Sequence, residues 1–279
     1  MNTSTPGLYI VSTPIGNLDD ITFRAVDILK KSDIIICEDT RRSLKLLNHY
    51  NIKKKLISYH KYNEKKELTK IIKYLNDGKI LSLISDAGTP VLSDPGNLLI
   101  KECIKENIKI YSVPGPSSIT SAMSTSGFGD RFLFYGFLPK KEKELEKVII
   151  KLNKEPNAII FFLPAIKINF YLKSFKKNFM NRKIVIAREI SKIHETYYRD
   201  TIAGINLFKL PPKGEMTVVI SGKTTGNIIV DNFNIRKEAL TYLKKYSLKD
   251  VVELISKKEK IPKKKVYEIC LTIKNEKII

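Results

Sequence analysis

Tryptophan is absent, and cysteine and histidine number three each. Cys37, Cys103 and Cys270 stand far apart with no C-x-x-C pair, so neither a disulfide framework nor a zinc site is indicated. His49, His60 and His194 are equally scattered, and no metal is expected. Long hydrophobic runs are also missing. Ile34–Cys37 and Ala158–Leu163 fall far short of the ~20 apolar residues that span a bilayer, so no membrane partner is expected. Met1–Gly7 has neither a charged nor an apolar leader region, which predicts a cytoplasmic protein without a signal peptide. No repeat of fixed period is present.

Arginine is scarce as well. Of 50 basic residues only 8 are Arg, against 29 acidic residues and a net charge of +21. This excess has two readings. One is an anionic partner, most simply nucleic acid. The other is a surface enriched in Lys by a composition flooded with Lys, Ile and Asn. Because phosphate and base recognition favours the guanidinium fork, the few Arg are more informative than the many Lys. With 279 residues and 43% hydrophobic content, the chain is long enough for one large domain or two medium ones.

The first half alternates strand and helix signals. Strands are predicted at Leu8–Ser12, Asp33–Cys37, Lys79–Ser85 and Ile108–Val113. Between them, Ile21, Ala25, Ile28 and Leu29 recur at helical spacing after Asp19 and Asp20, which are suited to capping. Thr40–Tyr50 also reads as a helix. A third helix is expected after Asn63 as cap, with the stripe Leu68, Ile71, Ile72 and Leu75. Leu98–Glu106 and Ser117–Ser126 complete the helices, and the alternation implies a parallel α/β sheet. After the break at Gly127–Asp130 a second α/β segment follows, with strands at Phe132–Leu138, Ala158–Leu163, Ile184–Ala187 and Met216–Ser221. The tail carries amphipathic spacing at Val251, Val252, Leu254 and Ile255, and again over Val266–Leu271. The expected organisation is an α/β domain over 1–116, a second over 117–230, and a small basic helical region over 231–279.

Ser85–Gly96 holds the most informative motif, because Asp86–Gly96 is too long for an ordinary strand-to-helix connection and directly follows a buried strand. Ligands of open α/β sheets bind there. Gly88 and Gly96 permit close backbone approach, and Asp86 and Asp94 offer carboxylates to ligand hydroxyl or amino groups. Thr13-Pro14-Ile15-Gly16-Asn17 occupies the equivalent place after the first strand and is not a G-x-G-x-x-G fingerprint, so a nicotinamide pocket is unsupported. Pro114–Ser118 again joins a strand to a helix. Glu38-Asp39-Thr40-Arg41-Arg42 packs two carboxylates and two guanidinium groups into one strand end.

Taken in order, these segments resemble the tetrapyrrole methylase superfamily, and within it the branch of 16S ribosomal RNA cytidine 2′-O-methyltransferases. The resemblance runs through Leu8–Leu18, Ile36–Tyr50, Ser82–Gly96, Val113–Ser118, Asp130–Pro139, Ala187–Glu189 and Lys213–Met216 into the helical tail. It implies two α/β domains, with S-adenosyl-L-methionine in the cleft between them, and a homodimer acting on 16S rRNA or the small ribosomal subunit. Carried over by motif, Pro14, Asp86, Gly88, Thr89, Ser117, Ser118, Leu163, Ala187 and Met216 are the expected cofactor-binding residues. Arg41, Arg42 and Arg188 are the expected RNA contacts. A base should take the hydroxyl proton, and Glu38, Asp39, His60, Glu64 and Glu189 all stay open for that role.

One stretch departs from the family pattern. Where an acidic residue and a small-Pro-His-Arg run are usual, this chain has Leu163-Pro164-Ala165-Ile166-Lys167. Two alternatives therefore accompany the RNA reading: a small-molecule methylase acting on a tetrapyrrole, and a catalytically degraded ribosome-binding protein.

Overall fold

The four apolar residues Ile34–Cys37 form a strand buried on both faces, as expected for an interior strand of a parallel sheet. Ile34 and Ile36 pack on one side with Leu8, Leu81 and Leu99, and Ile35 and Cys37 on the other with Val11, Leu29 and Leu47. In this computed structural model, which describes residues 5–210, 212–223, 232–243, 245–259 and 262–275, that strand is β2 of a five-stranded sheet. Its companions are β1 (Gly7–Val11), β3 (Lys55–Ser58), β4 (Ile80–Leu83) and β5 (Ile110–Val113). The order is β3-β2-β4-β1-β5, and all pairings are parallel. The chain leaves β1 to build β2 and β3, then returns as β4 between β2 and β1. β5 adds on the far side of β1. The connections diverge at the β4–β1 pair, which opens a crevice above the strand ends.

Four helices make the connections: α1 (Phe23–Lys31), α2 (Thr40–His49), α3 (Glu64–Asn76) and α4 (Asn97–Lys105). Two caps differ from expectation. Thr22, rather than Asp19 or Asp20, caps α1 by accepting from the Ala25 N–H at 3.1 Å, while the two Asp lie in a separate 3-10 turn over Leu18–Asp20. Asn63 stands at the start of α3 without capping it. Its amide instead accepts from the His60 N–H at 2.7 Å and donates to the Ser58 carbonyl at 2.9 Å.

A second sheet contains β6 (Phe132–Phe137), β7 (Ala158–Pro164), β8 (Lys183–Arg188), β9 (Thr196–Thr201) and β10 (Glu215–Ile220). Its order is β6-β7-β10-β8-β9, with only the β6–β7 pair parallel. The strand period of two is plain in β7. Ile159, Phe161 and Leu163 face the core under α6 (Glu142–Leu152) and α7 (Ile168–Asn178). Ala158, Ile160 and Phe162 face α5 (Ser118–Ser124), whose Ile119, Ala122 and Met123 cover the opposite side. β6 contains a bulge between Phe134 and Gly136, where Gly136 adopts φ +83°. Beyond it Phe137 pairs with Phe162 instead of Leu163, so its ring packs beside Phe162 at 5.5 Å between centroids.

Contacts divide the chain into residues 1–223, which hold both sheets, and residues 224–279. The expected boundary at 230/231 lies outside the described residues. The second unit contains α8 (Asn232–Leu243), α9 (Leu248–Glu259) and α10 (Lys263–Asn275), closed over a small core that includes Ile235, Ala239, Val251, Ile255, Val266 and Cys270. Ser247 starts α9, accepting from the Asp250 N–H and donating to the Asp250 carboxylate. Among the described residues no helix is long and apolar enough to cross a membrane.

Phe161 is fully buried and stacks on Phe175 with centroids 5.6 Å apart. Phe161→Ala should therefore cost about 3–5 kcal/mol, read as a lowered urea midpoint in equilibrium unfolding.

Candidate active site

The floor of the site is made by two loops that bond to each other through their backbones. The Thr13 N–H donates to the Gly88 carbonyl and the Gly88 N–H returns to the Thr13 carbonyl, both at 2.9 Å. Side chains reinforce this bridge. The Thr13 hydroxyl donates to the Ser85 carbonyl at 3.1 Å, and the Ser12 and Thr89 hydroxyls meet at 2.9 Å. Gly88 adopts φ +80°, and a Cβ there would come within 3.3 Å of Ile15.

Further along this loop the backbone is strained. Six non-glycine residues in the described chain have positive φ, and two of them are Asn, which tolerates it. The other four are Val91 and Ser93 in the loop after β4, and Glu189 and Ser191 in the loop after β8. Such conformations cost of order 1–3 kcal/mol each and persist where the surroundings over-determine them.

These two loops flank a cavity of about 450 Å³, within the range of small-molecule sites. It opens above the carboxyl ends of the parallel strands, where Ile15, Glu38, the Asp86–Asp94 segment and Ser117 converge. The second sheet closes it with Phe162, Leu163, Ala187 and Met216. Leu163 and Met216 are directly paired across β7 and β10. All the expected cofactor-binding residues line this space except Pro14, which is buried behind its lining neighbour Ile15.

The cavity is acidic in an otherwise basic chain. Glu38, Asp86, Asp94, Glu189 and Glu215 line it against Arg42 and Lys192. Asp94 is pushed up to about 6, first by burial and then by the neighbouring Glu38 charge, with the Ser85 hydroxyl offsetting part. Burial also raises Glu38, helped by the Asp86 charge and opposed by His60 and Arg42. Asp86 is oriented from outside, accepting from the Asp39 N–H at 3.2 Å and pairing with Arg42 at 3.2 Å.

The remaining expected residues take varied positions. Asp39 caps α2, and hydrogen bonds from the Arg41 guanidinium and N–H to its carboxylate draw it down to about 2. Glu64 sits in the first turn of α3, away from the cavity lining. His60 is half-buried, and its Nδ1 accepts from the Tyr62 N–H at 3.3 Å, so a proton on the neutral ring resides on Nε2. Arg188 donates through Nε to the Lys213 carbonyl at 2.8 Å.

Glu189 is already engaged. Burial would raise its carboxyl, yet the Glu215 N–H at 2.9 Å and the Lys192 ammonium at 3.0 Å draw it below the usual range. Gly214 is glycine for the same reason, since a Cβ would collide with that carboxylate.

Sequence reasoning did not single out Ile15, Phe137, Phe162 or Lys192 as lining residues. Phe137 arrives through the bulge and Lys192 through the left-handed turn at Glu189, and neither feature has a linear signature. At the stretch that departs from the family pattern, Leu163 and Pro164 line the cavity, while Ile166 and Lys167 are exposed in a 3-10 turn over Ala165–Lys167. Among the described residues no group of three or more His, Cys, Asp or Glu is placed to hold a metal ion.

Residues 7–206 match the family of Tetrapyrrole (Corrin/Porphyrin) Methylases. The chain belongs to this family. It is 45% identical over 219 residues to "Ribosomal RNA small subunit methyltransferase I" of Thermotoga maritima, covering 77% of this chain and 98% of that one. A protein of the same name from Rickettsia prowazekii is 42% identical over 271 residues, covering 94% of this chain and 95% of that one, so the likeness runs into the helical tail. Among solved structures, the methyltransferase CobJ superposes with a TM-score of 0.59 at 15% identity, covering 80% of this chain and 96% of that one. At that identity the likeness is one of fold.

The raised Asp94 carboxyl makes stability depend on pH. A carboxyl near 6 in the folded chain and near its ordinary 3.8 when unfolded stabilises the fold only at low pH, and that contribution is lost as pH rises from about 4 to 6. Asp94→Asn removes the charge, so its melting temperature should exceed that of the unsubstituted chain at pH 8 and converge with it below pH 4 in thermal melts.

Proposed function

We propose that the cavity binds S-adenosyl-L-methionine and that the protein methylates the ribose 2′-hydroxyl of a cytidine in the decoding region of 16S ribosomal RNA. The observation that carries this reading is an acidic, half-apolar cavity at the switch point of the parallel sheet, in a chain whose full-length relatives bear the rRNA methyltransferase name. The lining suits such a donor. Asp86 and Asp94 complement positive charge, Thr89, Ser117 and Ser118 offer hydroxyls, and Leu163, Ala187 and Met216 supply an apolar wall. At Gly88 the bare backbone permits close approach.

When bound, the donor supplies an electrophilic methyl carbon on a sulfonium. The protein's part is to hold the ribose oxygen in line with that carbon and to receive the proton it loses. Glu38 and Asp94 are the carboxylates placed for the second task. They share the cavity, and burial raises both, with the Asp86 charge adding to it at Glu38 and the Glu38 charge at Asp94, which is brought to about 6, toward the pH where a base works best. His60, half-buried and two residues after Ser58, whose hydroxyl donates to the Glu38 carbonyl, offers the proton a route to solvent. Asp39 and Glu189 are poor bases by comparison, because both carboxylates are held ionised by donors within the fold.

Arg42 keeps most of its guanidinium exposed while one nitrogen pairs with Asp86, which leaves donors for an RNA phosphate. Arg41 and Arg188 fill the same role in this reading. The expectation of a homodimer rests on the family resemblance, and a cytoplasmic location accords with a ribosomal RNA substrate.

The test is mass mapping of 16S RNA from small subunits of a methylation-deficient strain after incubation with the protein and methyl donor. One added methyl on the ribose of a single decoding-region cytidine is expected. Absence of that methyl, with the donor bound in calorimetry, rejects the acceptor assignment. Glu38→Gln should lower kcat by about 10²–10⁴-fold with donor affinity retained, and Asp94→Asn should lower it by a similar factor while also weakening donor binding. The wild-type rate should climb with pH through about 6 as the pair loses its proton, a limb that Asp94→Asn displaces.

A further inference from the structure

The segment between β3 and α3 holds an aromatic ring in water on a rigid support. Tyr62 is 95% exposed. Exposure alone means little, since single apolar residues on a surface are ordinary. What sets Tyr62 apart is the bracing beneath it. The Asn63 amide ties the turn to Ser58 and His60, the Asn63 and Glu64 N–H groups donate to the His60 carbonyl at 3.0 Å, and the Tyr62 N–H donates to the His60 ring. The preceding residue, Tyr59, is 1% exposed, and its N–H donates to the Cys37 carbonyl at 2.8 Å. The backbone under Tyr62 is therefore fixed from both sides, while its ring meets the His60 ring edge-on at 6.1 Å between centroids.

The position is equally specific. The Ser58 hydroxyl donates to the carbonyl of Glu38 at 3.3 Å, and Glu38 lines the cavity, so the turn that carries Tyr62 starts beside the cavity wall. Lys61, Lys65 and Lys66, its neighbours in sequence, are all exposed. An exposed ring on a braced backbone, with exposed lysines close by in sequence and an acidic cavity beside the turn, matches the pattern by which proteins hold unpaired nucleic acid: bases stack on aromatic faces, and cations track the phosphates.

We propose, resting on the RNA reading above, that Tyr62 is a stacking platform for an unpaired nucleobase of the substrate strand, holding that strand as the target ribose enters the cavity. Stacking needs the ring and not the hydroxyl, so phenylalanine should serve at this position and alanine should not.

The chain has no tryptophan, so Tyr62→Trp places a single indole, excited apart from the tyrosines, on the platform. With a short single-stranded RNA oligonucleotide as probe, its emission should be quenched as RNA binds, while a double-stranded RNA of the same sequence should quench less. In methyl transfer to small subunits, Tyr62→Ala should raise KM for the subunit on the order of 10-fold, with donor affinity unchanged, and Tyr62→Phe should behave as wild type. An unchanged KM in Tyr62→Ala, or emission from Tyr62→Trp that single-stranded RNA does not move, overturns the assignment. Emission that changes with protein concentration alone also overturns it, because Tyr62 would then meet a second copy of the chain. Transfer by the wild-type protein tests the RNA reading itself, so an active wild type with indifferent Tyr62 variants rejects the platform alone.

Discussion

The site depends on two backbone hydrogen bonds. The reciprocal pair between Thr13 and Gly88 joins the loop leaving β1 to the loop leaving β4, the two strands at which the sheet's connections diverge. A parallel sheet leaves the amide and carbonyl groups at its strand ends unpaired, and buried polar groups of that kind must find partners. Here they find each other, with the hydroxyls of Ser12, Thr13 and Thr89 completing the set. Once this bridge is made, the long segment after Gly88 has a fixed origin. Val91 and Ser93 can then be held in left-handed conformations that a free loop would leave, and Asp94 is carried into the cavity.

The opposite rim uses charge for the same end. The Glu189 carboxylate gathers the Glu215 N–H and the Lys192 ammonium, fixing the turn that presents Lys192 and Met216 to the cavity. The acids of the site therefore divide into two kinds. Asp39 and Glu189 are paired, stay ionised and act as struts. Glu38 and Asp94 are partly buried near each other, and what the Ser85 hydroxyl gives Asp94, or His60 and Arg42 give Glu38, does not outweigh burial. The fold bears a cost for the second pair, and sites of chemistry are where such costs concentrate.

Much of the first sheet was legible because parallel strands buried on both faces read as short unbroken apolar runs, as in Ile34–Cys37. β3 escaped notice because only Leu56 and Ile57 are apolar in a four-residue edge strand, and β9 because its sequence Thr196–Thr201 is mostly polar and lies at the other sheet's edge. The parallel pattern does not extend to the second sheet, where β10 enters antiparallel to both β7 and β8, and no residue pattern announces direction. In the site, the long Asp86–Gly96 loop and the Ser117–Ser118 junction stood out by composition and length. The candidate bases could not be ranked from sequence, since whether a carboxylate is a strut or a proton acceptor is decided by partners distant in the chain. Glu189 meets Glu215, while Glu38 meets Asp94.

The bulge in β6 acts as a change of frame within a strand. Before it, Leu133 packs toward one core and Phe134 toward the other. Without the extra residue Phe137 would fall in step with Leu133 and turn away from the cavity it now lines. The strand's length is consequently under tighter constraint than its composition. An exchange of Tyr135 for another strand-forming residue leaves the frame intact, whereas loss of one residue between Phe134 and Phe137 would invert every side chain that follows and take an aromatic wall out of the cavity.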